Sequence, residues 1–327
     1  MQENKSPATA QTKPAKLKKS KWTKDDTELT ILALPTTVWY ILFCYLPMFG
    51  IILAFKDYKI TPGAGFLTSL INSEWMGFQN FEYYFGLQNF TQILRNTLLY
   101  NIVFIILDIV LPVTLAIVIS NIYSKRKSKV YQTLMFMPHF MSWVVVSYFV
   151  YAFLVTDKGL LNAMIRAFGG ENIPWYSFPK AWPFILLFMH IWKTLGYKMV
   201  VYLASITGID SSLYEAAVLD GATKFQQARY ITIPSLRPII IMMFILAIGG
   251  IFSSDFGLFY QVSRGAQQPL TPIVSTLDVQ VYQMLTSGTV SLGKTQAASL
   301  FQAVVGCIMI LSANAIVRKF DRSSALI

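Results

Sequence analysis

Charge is scarce in this chain. Only 13% of its 327 residues are charged and 54% are hydrophobic, against roughly 25% charged in a soluble globular protein. Thiols and imidazoles are scarcer still: the cysteines are Cys44 and Cys307, the histidines His139 and His190. Two cysteines, each inside an apolar run, exclude a disulfide scaffold and leave packing as their role. No grouping of His, Cys and carboxylates has the spacing of a metal site or an activated nucleophile. Neither a metal, a resident cofactor nor bond-making chemistry is expected of this chain.

What the chain does have is apolar length. Runs able to cross a hydrocarbon core, about 20 residues each, occupy Leu29–Phe55, Thr91–Ser120, Val130–Val155, Pro183–Thr207, Leu236–Phe256 and Ala297–Val317. The fold class read from them is an all-α membrane protein with six transmembrane helices, multi-pass in the cell (plasma or inner) membrane. Pro35, Pro47, Pro112 and Pro138 interrupt the runs. Bundles tolerate this because neighbouring helices or water satisfy the freed carbonyls.

The charges that remain set an orientation. With the N-terminus inside, the cytoplasmic cations are the seven lysines from Lys5 to Lys24, then Lys125, Arg126, Lys127, Lys129, Lys224, Arg229, Arg237, Arg318, Lys319 and Arg322, seventeen in all. The other side carries eight: Lys56, Lys59, Arg95, Lys158, Arg166, Lys180, Arg264 and Lys294. The positive-inside rule therefore places both termini in the cytoplasm. The net charge of +11 is mostly this topology signal. The lysines flank a span and form no basic stripe interleaved with aromatics, so no nucleic-acid partner is expected. Residues 1–28 read as a disordered, basic cytoplasmic tail suited to anionic headgroups of membrane lipids, 29–320 as the transmembrane domain, and 321–327 as a cytoplasmic C-terminal tail.

The expected outer loops, Lys56–Phe90, Thr156–Trp182 and Gly257–Thr295, are long for structureless segments. Short interfacial helices are expected in them, as at Gly159–Phe168, where Leu160, Leu161, Met164, Ile165 and Phe168 recur at helical spacing. One of these loops contains Gly288-Thr289-Val290-Ser291-Leu292-Gly293-Lys294-Thr295, which fits the letters of a phosphate-binding loop. That chemistry needs a buried strand before the glycines and a second carboxylate motif for magnesium. Here the match sits on the outer side and runs directly into a span, so it reads as a glycine-containing turn.

Between the fourth and fifth runs lies a polar insert: Tyr214-Glu215-Ala216-Ala217, then Asp220-Gly221-Ala222, closed by Ile231, Ile233 and Pro234. Ser211 or Ser212 caps a short helix through Leu219, and Gly221 supplies the left-handed turn that ends it. A second short helix from about Thr223 to Tyr230 is expected to stop before Pro234. Two short helices over 211–234 make a compact knob, with small Ala216 and Ala217 permitting close approach. Glu215, Lys224 and Arg229 are placed to orient it. A docking element of this kind in a membrane protein pushes on, or is pushed by, something outside the membrane.

The Glu-Ala-Ala, Gly and Ile-x-Ile-Pro spacing resembles the coupling loop of permease subunits of ATP-driven, binding-protein-dependent (ABC) importers. Further likenesses are Gly77-Phe78-x-Asn80-Phe81 with Asn96-Thr97, and the run Phe136-Met137-Pro138-His139-Phe140-Met141-Ser142-Trp143-Val144-Val145. Asp157-Lys158-Gly159-Leu160-Leu161-Asn162, Ser299 to Gly306 and Arg318-Lys319-Phe320 complete the set. Together these resemble the polysaccharide and oligosaccharide branch of the sugar permeases, over about Leu29 to Arg322. Lys294 departs from that pattern. The resemblance implies a type I importer permease fold, a second homologous permease subunit, two cytoplasmic ABC ATPases that bind ATP and magnesium, and an extracellular solute-binding lipoprotein that delivers an oligosaccharide. It implies coupling to the ATPases through Tyr214, Glu215, Ala216, Ala217, Asp220, Gly221, Ala222, Ile233 and Pro234.

An ionisable group in hydrocarbon is costly unless it faces a bundle interior or water. Asp108, His139, His190, Lys193 and Asp255 therefore mark the expected substrate path, with Trp143, Trp192, Tyr197 and Tyr202 as aromatic faces for sugars. The alternatives are an ion-coupled secondary transporter using those same charges, a membrane-bound enzyme, and an importer permease for a non-sugar solute. Lys294 is read as binding no nucleotide. Lys294→Ala is expected to leave ATP hydrolysis by the assembled complex intact, and labelling of this chain by a photoreactive ATP analogue, lost in that variant, would overturn the reading.

Overall fold

The computed structural model describes residues 23–63, 65–288 and 290–321. Residues 1–22 of the expected basic tail, Thr289 of the phosphate-loop match, and Arg322 with the residues after it lie outside the described residues. The chain divides into two units, Met1–Gly50 and Ile51–Ile327.

In the first unit a helix spans Lys24–Tyr40, beginning before the expected Leu29. Thr23 Oγ1 accepts from Asp26 N–H at 3.3 Å and Asp26 Oδ2 accepts from Thr23 N–H at 2.7 Å, a reciprocal cap that settles two orphan donors. Pro47, which cannot donate to the helix ladder, follows a wide turn at Ile41–Tyr45 in which Leu46 N–H reaches back to Ile41 O.

The second unit is built on two long helices packed along their length, Phe90–Ser120 and Trp182–Thr207. Val113, Ala116 and Ile119 of the first meet Met199, Tyr202, Leu203 and Ile206 of the second in one buried cluster. Asp108 sits at the same seam. Lys198 Nζ contacts its Oδ2, His190 Nε2–H donates to both carboxylate oxygens at 3.0 and 3.1 Å, and Thr194 Oγ1 donates at 3.3 Å. His190, Thr194 and Lys198 are four residues apart and so lie on one face of their helix. Helices Lys224–Gly249 and Leu292–Lys319 cross where a β-carbon on Gly306 would stand 2.6 Å from Gly249 O. Small residues at such a crossing let membrane helices approach closely.

Among the described residues five helices are long and apolar enough to cross a membrane, and a bent pair, taken as one span, makes six. That pair corrects the expected continuous span Val130–Val155. Lys125–Phe140 and Trp143–Leu154 meet at 99°, because Pro138 interrupts the ladder and Ser142 starts a new helix by accepting from Val145 N–H at 3.3 Å. Span five needs a second correction: it begins at Lys224 and ends at Gly249, not at Leu236 and Phe256.

The segment Gly257–Thr295 holds the short helices expected of it, Thr271–Val274 and Leu277–Ser287, and much of it is core. Leu258, Phe259, Val262, Val274, Leu277 and Val279 are fully buried, and Phe259 packs edge-on against Tyr100 at 4.9 Å. Amides on the neighbouring helices satisfy carbonyls of this segment and of residues 251–253 that lead into it. Asn96 Nδ2 donates to Pro272 O and Ser275 O at 2.9 and 3.1 Å, Asn101 Nδ2 to Ile251 O and Ser253 O at 2.8 Å, and Gln302 Nε2 to Phe252 O at 2.8 Å. Leu277 N–H donates to Thr97 Oγ1 at 3.0 Å. The expected interfacial helix is present at Leu160–Ala167, and the only departure from helix among the described residues' regular elements is a two-residue strand pair, Lys56–Asp57 with Glu74–Trp75.

The Asp108–Lys198 contact ties the two longest-packed helices together, with side chains only 15% and 23% exposed. Removing one partner of such a buried pair costs about 3–5 kcal/mol. Lys198→Met is expected to lower the unfolding free energy of the solubilised protein by that order, and adding Asp108→Asn to restore most of it. A double variant no more stable than Lys198→Met would refute the pairing.

Candidate functional site

The polar insert is a capped helix, a turn and the start of span five. Asp210, rather than either serine, caps the helix Ser211–Leu219: its Oδ1 accepts from Ser212 N–H at 3.0 Å, a bond that holds the carboxyl below the usual aspartate range. The helix ends in a left-handed turn at Gly221, φ +77°. Gly221 N–H reaches Val218 O at 3.0 Å and Ala222 N–H reaches Ala217 O at 2.9 Å, the paired bonds of a glycine-terminated helix.

Thr223 then caps Lys224–Gln227 with Gln226 as reciprocal partner. Helix does not stop at Pro234, as the sequence reading expected. A wide turn at Ala228–Thr232, with Ile233 N–H bonded to Ala228 O, leads into Ile233–Gly249. The missing proline donor is thereby absorbed within one continuous span. The knob is one short helix clamped to the foot of a long one, and the clamp is the Tyr214 hydroxyl at 2.9 Å from Thr232 Oγ1.

Within the block, Glu215 and Ala216 are exposed, Ala217 and Ala222 half-buried, and Asp220 and Gly221 lie at the exposed turn. Ile233 and Pro234 are exposed at the head of span five. The most exposed large apolar side chains of the insert are two to which the sequence assigns no docking role. Leu219 is 89% and Phe225 74% exposed, one on each side of the Gly221 turn. Their signal was available in the sequence as large apolar residues inside a polar insert.

The expected path residues separate into two groups. Asp108 and His190 belong to the interhelical cluster already described, with the His190 ring stacked on Phe104 at 3.8 Å. Lys198, their partner, was not singled out from the sequence. The second group gathers at the bend of span three. Lys193 Nζ donates to His139 O at 3.0 Å and Pro138 O at 3.5 Å and contacts Met141 O. His139 O and Met141 O are left free where the helix breaks, at the negative end of its dipole, while Pro138 O also accepts from Met141 N–H at 3.2 Å.

The same ammonium lies 5.2 Å from the Trp143 ring centroid. Trp143 Nε1–H donates to Asp255 Oδ2 at 2.7 Å, and Asp255 Oδ1 accepts from Leu258 N–H at 3.2 Å. A β-carbon on Gly257 would stand 2.0 Å from the Trp143 ring, so glycine is required there. His139 is exposed and stacks on Tyr197 at 4.6 Å. Trp192 is half-buried against the core. Tyr202 is wholly buried, which removes it as a sugar-stacking face.

The phosphate-loop letters have none of the required geometry. A helix, Leu277–Ser287, precedes Gly288, and Leu292–Phe320 follows. Gly293 is packed against backbone, with an added β-carbon 2.2 Å from Lys56 O, and Lys294 Nζ lies 4.0 Å from the Tyr83 ring centroid.

Known proteins share this arrangement. Residues 123–324 match the family described as binding-protein-dependent transport system inner membrane component. The chain is 34% identical to protein LplB of Bacillus subtilis (strain 168), over 94% of this chain and 92% of that one. It is also 34% identical to the polygalacturonan/rhamnogalacturonan transport system permease protein YteP of the same organism, over 89% and 88%. A chain in the crystal structure of a bacterial ABC transporter involved in import of the acidic polysaccharide alginate superposes with a TM-score of 0.79 at 31% identity, covering 91% of this chain and 97% of that one. A second structure, of a bacterial alginate ABC transporter in complex with its pentasaccharide-bound periplasmic protein, gives the same TM-score at 30% identity. With the bent third span, the capped insert between spans four and five and full-length similarity all in agreement, the chain belongs to the inner membrane permease components of binding-protein-dependent transport systems.

Proposed function

We propose that this chain is the membrane subunit through which an ATP-driven importer admits oligosaccharides handed over by an extracellular solute-binding protein. The observation that carries the reading is the insert 210–234: a rigid, capped knob at the junction of two spans, with Leu219 and Phe225 exposed at its tip. Such a tip fits a groove on a soluble partner. Two cytoplasmic ATPases, holding ATP and magnesium, are the partners assigned to it and to that of a second, homologous permease. YteP and the alginate importer, named for transport of polysaccharides, support an oligosaccharide solute. The charge count supports cytoplasmic termini, with 29–320 as the permease domain and the flanking residues as tails.

The geometry supplies a route for the push. Displacing Ser211–Leu219 acts on span four through Gly208–Asp210 and on span five through the Thr223 cap and the Tyr214–Thr232 clamp. Span four carries Lys193, about 21 Å along a helix from Thr207, where it holds the bend of span three. We assign Lys193, Trp143, Asp255 and His139 to the path, and Asp108 and His190 to holding the spans together. Bond-making chemistry stays with the ATPases.

The defining experiment is uptake by the reconstituted complex, with binding protein, of a panel of labelled oligosaccharides. ATP-dependent uptake of at least one is expected. Uptake driven by an ion gradient without ATP, or of non-sugar solutes alone, would overturn the reading.

Leu219→Asp with Phe225→Asp is expected to abolish ATPase co-purification while the chain still inserts in the membrane. Gly221→Pro, which forces φ from +77° to about −65°, is expected to cut uptake at least tenfold relative to ATP hydrolysed. Uptake at the wild-type level in either variant would sink the coupling role. Lys193→Met leaves the His139 and Met141 carbonyls without their donor, at about 1–3 kcal/mol for each that stays buried. It is expected to lower uptake at least tenfold with basal ATP hydrolysis retained; an unchanged rate would remove Lys193 from the path.

A further inference from the structure

Resting on the oligosaccharide reading, we propose that the cleft around Arg264 is a docking subsite for carboxylate-bearing sugar units. By charge pattern alone Arg264 is one of the eight outer cations. Two neighbouring cavities, of about 310 and 360 Å³, share Tyr151, Arg264 and Gln267 in their walls. One of them is also walled by Thr156 and Tyr176, from the connection between spans three and four. That connection lies at the end of the bundle opposite the insert between spans four and five, where a solute-binding protein would deliver its cargo.

The chemistry of the walls is specific. The Arg264 guanidinium carbon lies 4.1 Å from the Tyr151 ring centroid, so the cation is held against an aromatic face with its donors free to turn outward. Neither cavity has an Asp or Glu in its walls, and no carboxylate pairs with Arg264 among the described residues. Arg264 is exposed, as are Tyr148 at 70% and Gln267. Tyr148 and Tyr260 add aromatic surface and Gln261 and Gln267 add amides. Flat apolar faces for sugar rings, amides for hydroxyls and one unneutralised guanidinium for a carboxylate are the set that an acidic sugar requires.

The backbone is built to aim that guanidinium. Arg264, Gly265 and Ala266 all have positive φ, at +59°, +90° and +53°, although residues with a β-carbon seldom enter this region. Buried Ser263 locks the turn: its Oγ donates to Phe259 O at 2.5 Å and accepts from Ala266 N–H at 3.0 Å. Gly265 N–H bonds Tyr260 O at 2.8 Å and Thr271 Oγ1 bonds Ala266 O at 2.7 Å. Backbone strain held by so many bonds fixes one side-chain direction.

The test is binding of a uronic-acid tetrasaccharide, and of its carboxyl-reduced neutral counterpart, to the assembled complex in nanodiscs without binding protein, read by saturation-transfer NMR. The wild type is expected to bind the acidic tetramer at least tenfold more tightly than the neutral one. Arg264→Gln should erase that preference by weakening the acidic tetramer alone, Arg264→Lys should keep part of it, and Tyr148→Ala should weaken both. Equal binding of the two tetramers to the wild type, no binding of either, or a preference that survives Arg264→Gln would overturn the proposal. A complex that binds the acidic tetramer through Arg264 yet takes up no oligosaccharide in the reconstituted assay would overturn the import reading instead and leave the subsite standing.

Discussion

Within hydrocarbon every backbone N–H and C=O needs a partner from the protein, because an unmet group costs several kcal/mol. A bundle of unbroken helices meets the requirement by default. This chain breaks its helices repeatedly, and several of the breaks are answered by polar side chains from elsewhere in the fold. Asn96 and Asn101 answer the carbonyls after span five, and Lys193 those at the bend of span three. Asn80 donates to Ala54 O and Lys56 O at 2.9 and 3.1 Å. Asn162, fully buried, donates to Thr156 O and Ile173 O and accepts from Trp175 Nε1–H. The polar residues of the membrane domain are therefore mostly structural glue, and the irregular backbone they hold is what shapes the concave surfaces.

That constraint explains what could be read in advance. Span number and the capped insert depend on local signals, namely apolar length, a helix-capping residue and a glycine before a new cap, and all were legible. Asn80, Asn96 and Asn162 stood out only as parts of a family likeness. Their shared task of serving carbonyls, up to 179 residues distant in sequence, has no local signature. The same holds for Asp108, which is matched by Lys198 across two helices; a lone acid in a span looks identical whether it meets solvent, solute or a lysine.

Misplaced boundaries have a related cause. Pro234 reads as a helix end because the residue ahead of a proline resists helical geometry, yet the wide turn at Ala228–Thr232 accommodates it and the helix continues. Pro138 does end its helix, but a fresh serine cap two residues after Phe140 keeps the chain compact at a 99° bend. The burial of Gly257–Thr295 has no local signal, because its serines, glutamines and glycines look exposed. The Asn96 amide serves Pro272 O and Ser275 O in that segment and helps it sink into the core.

The wide turn at Ala228–Thr232 lies between the insert and the long helix it feeds. Such a turn holds one residue more than an ordinary helical turn. If it tightened, the helix on one side would advance by one residue relative to the other, a screw motion of roughly 100° and 1.5 Å. A proline two residues beyond, at Pro234, offers no amide hydrogen to resist that slip. The junction thus contains a place where the insert can twist about its span without any domain having to rotate as a whole.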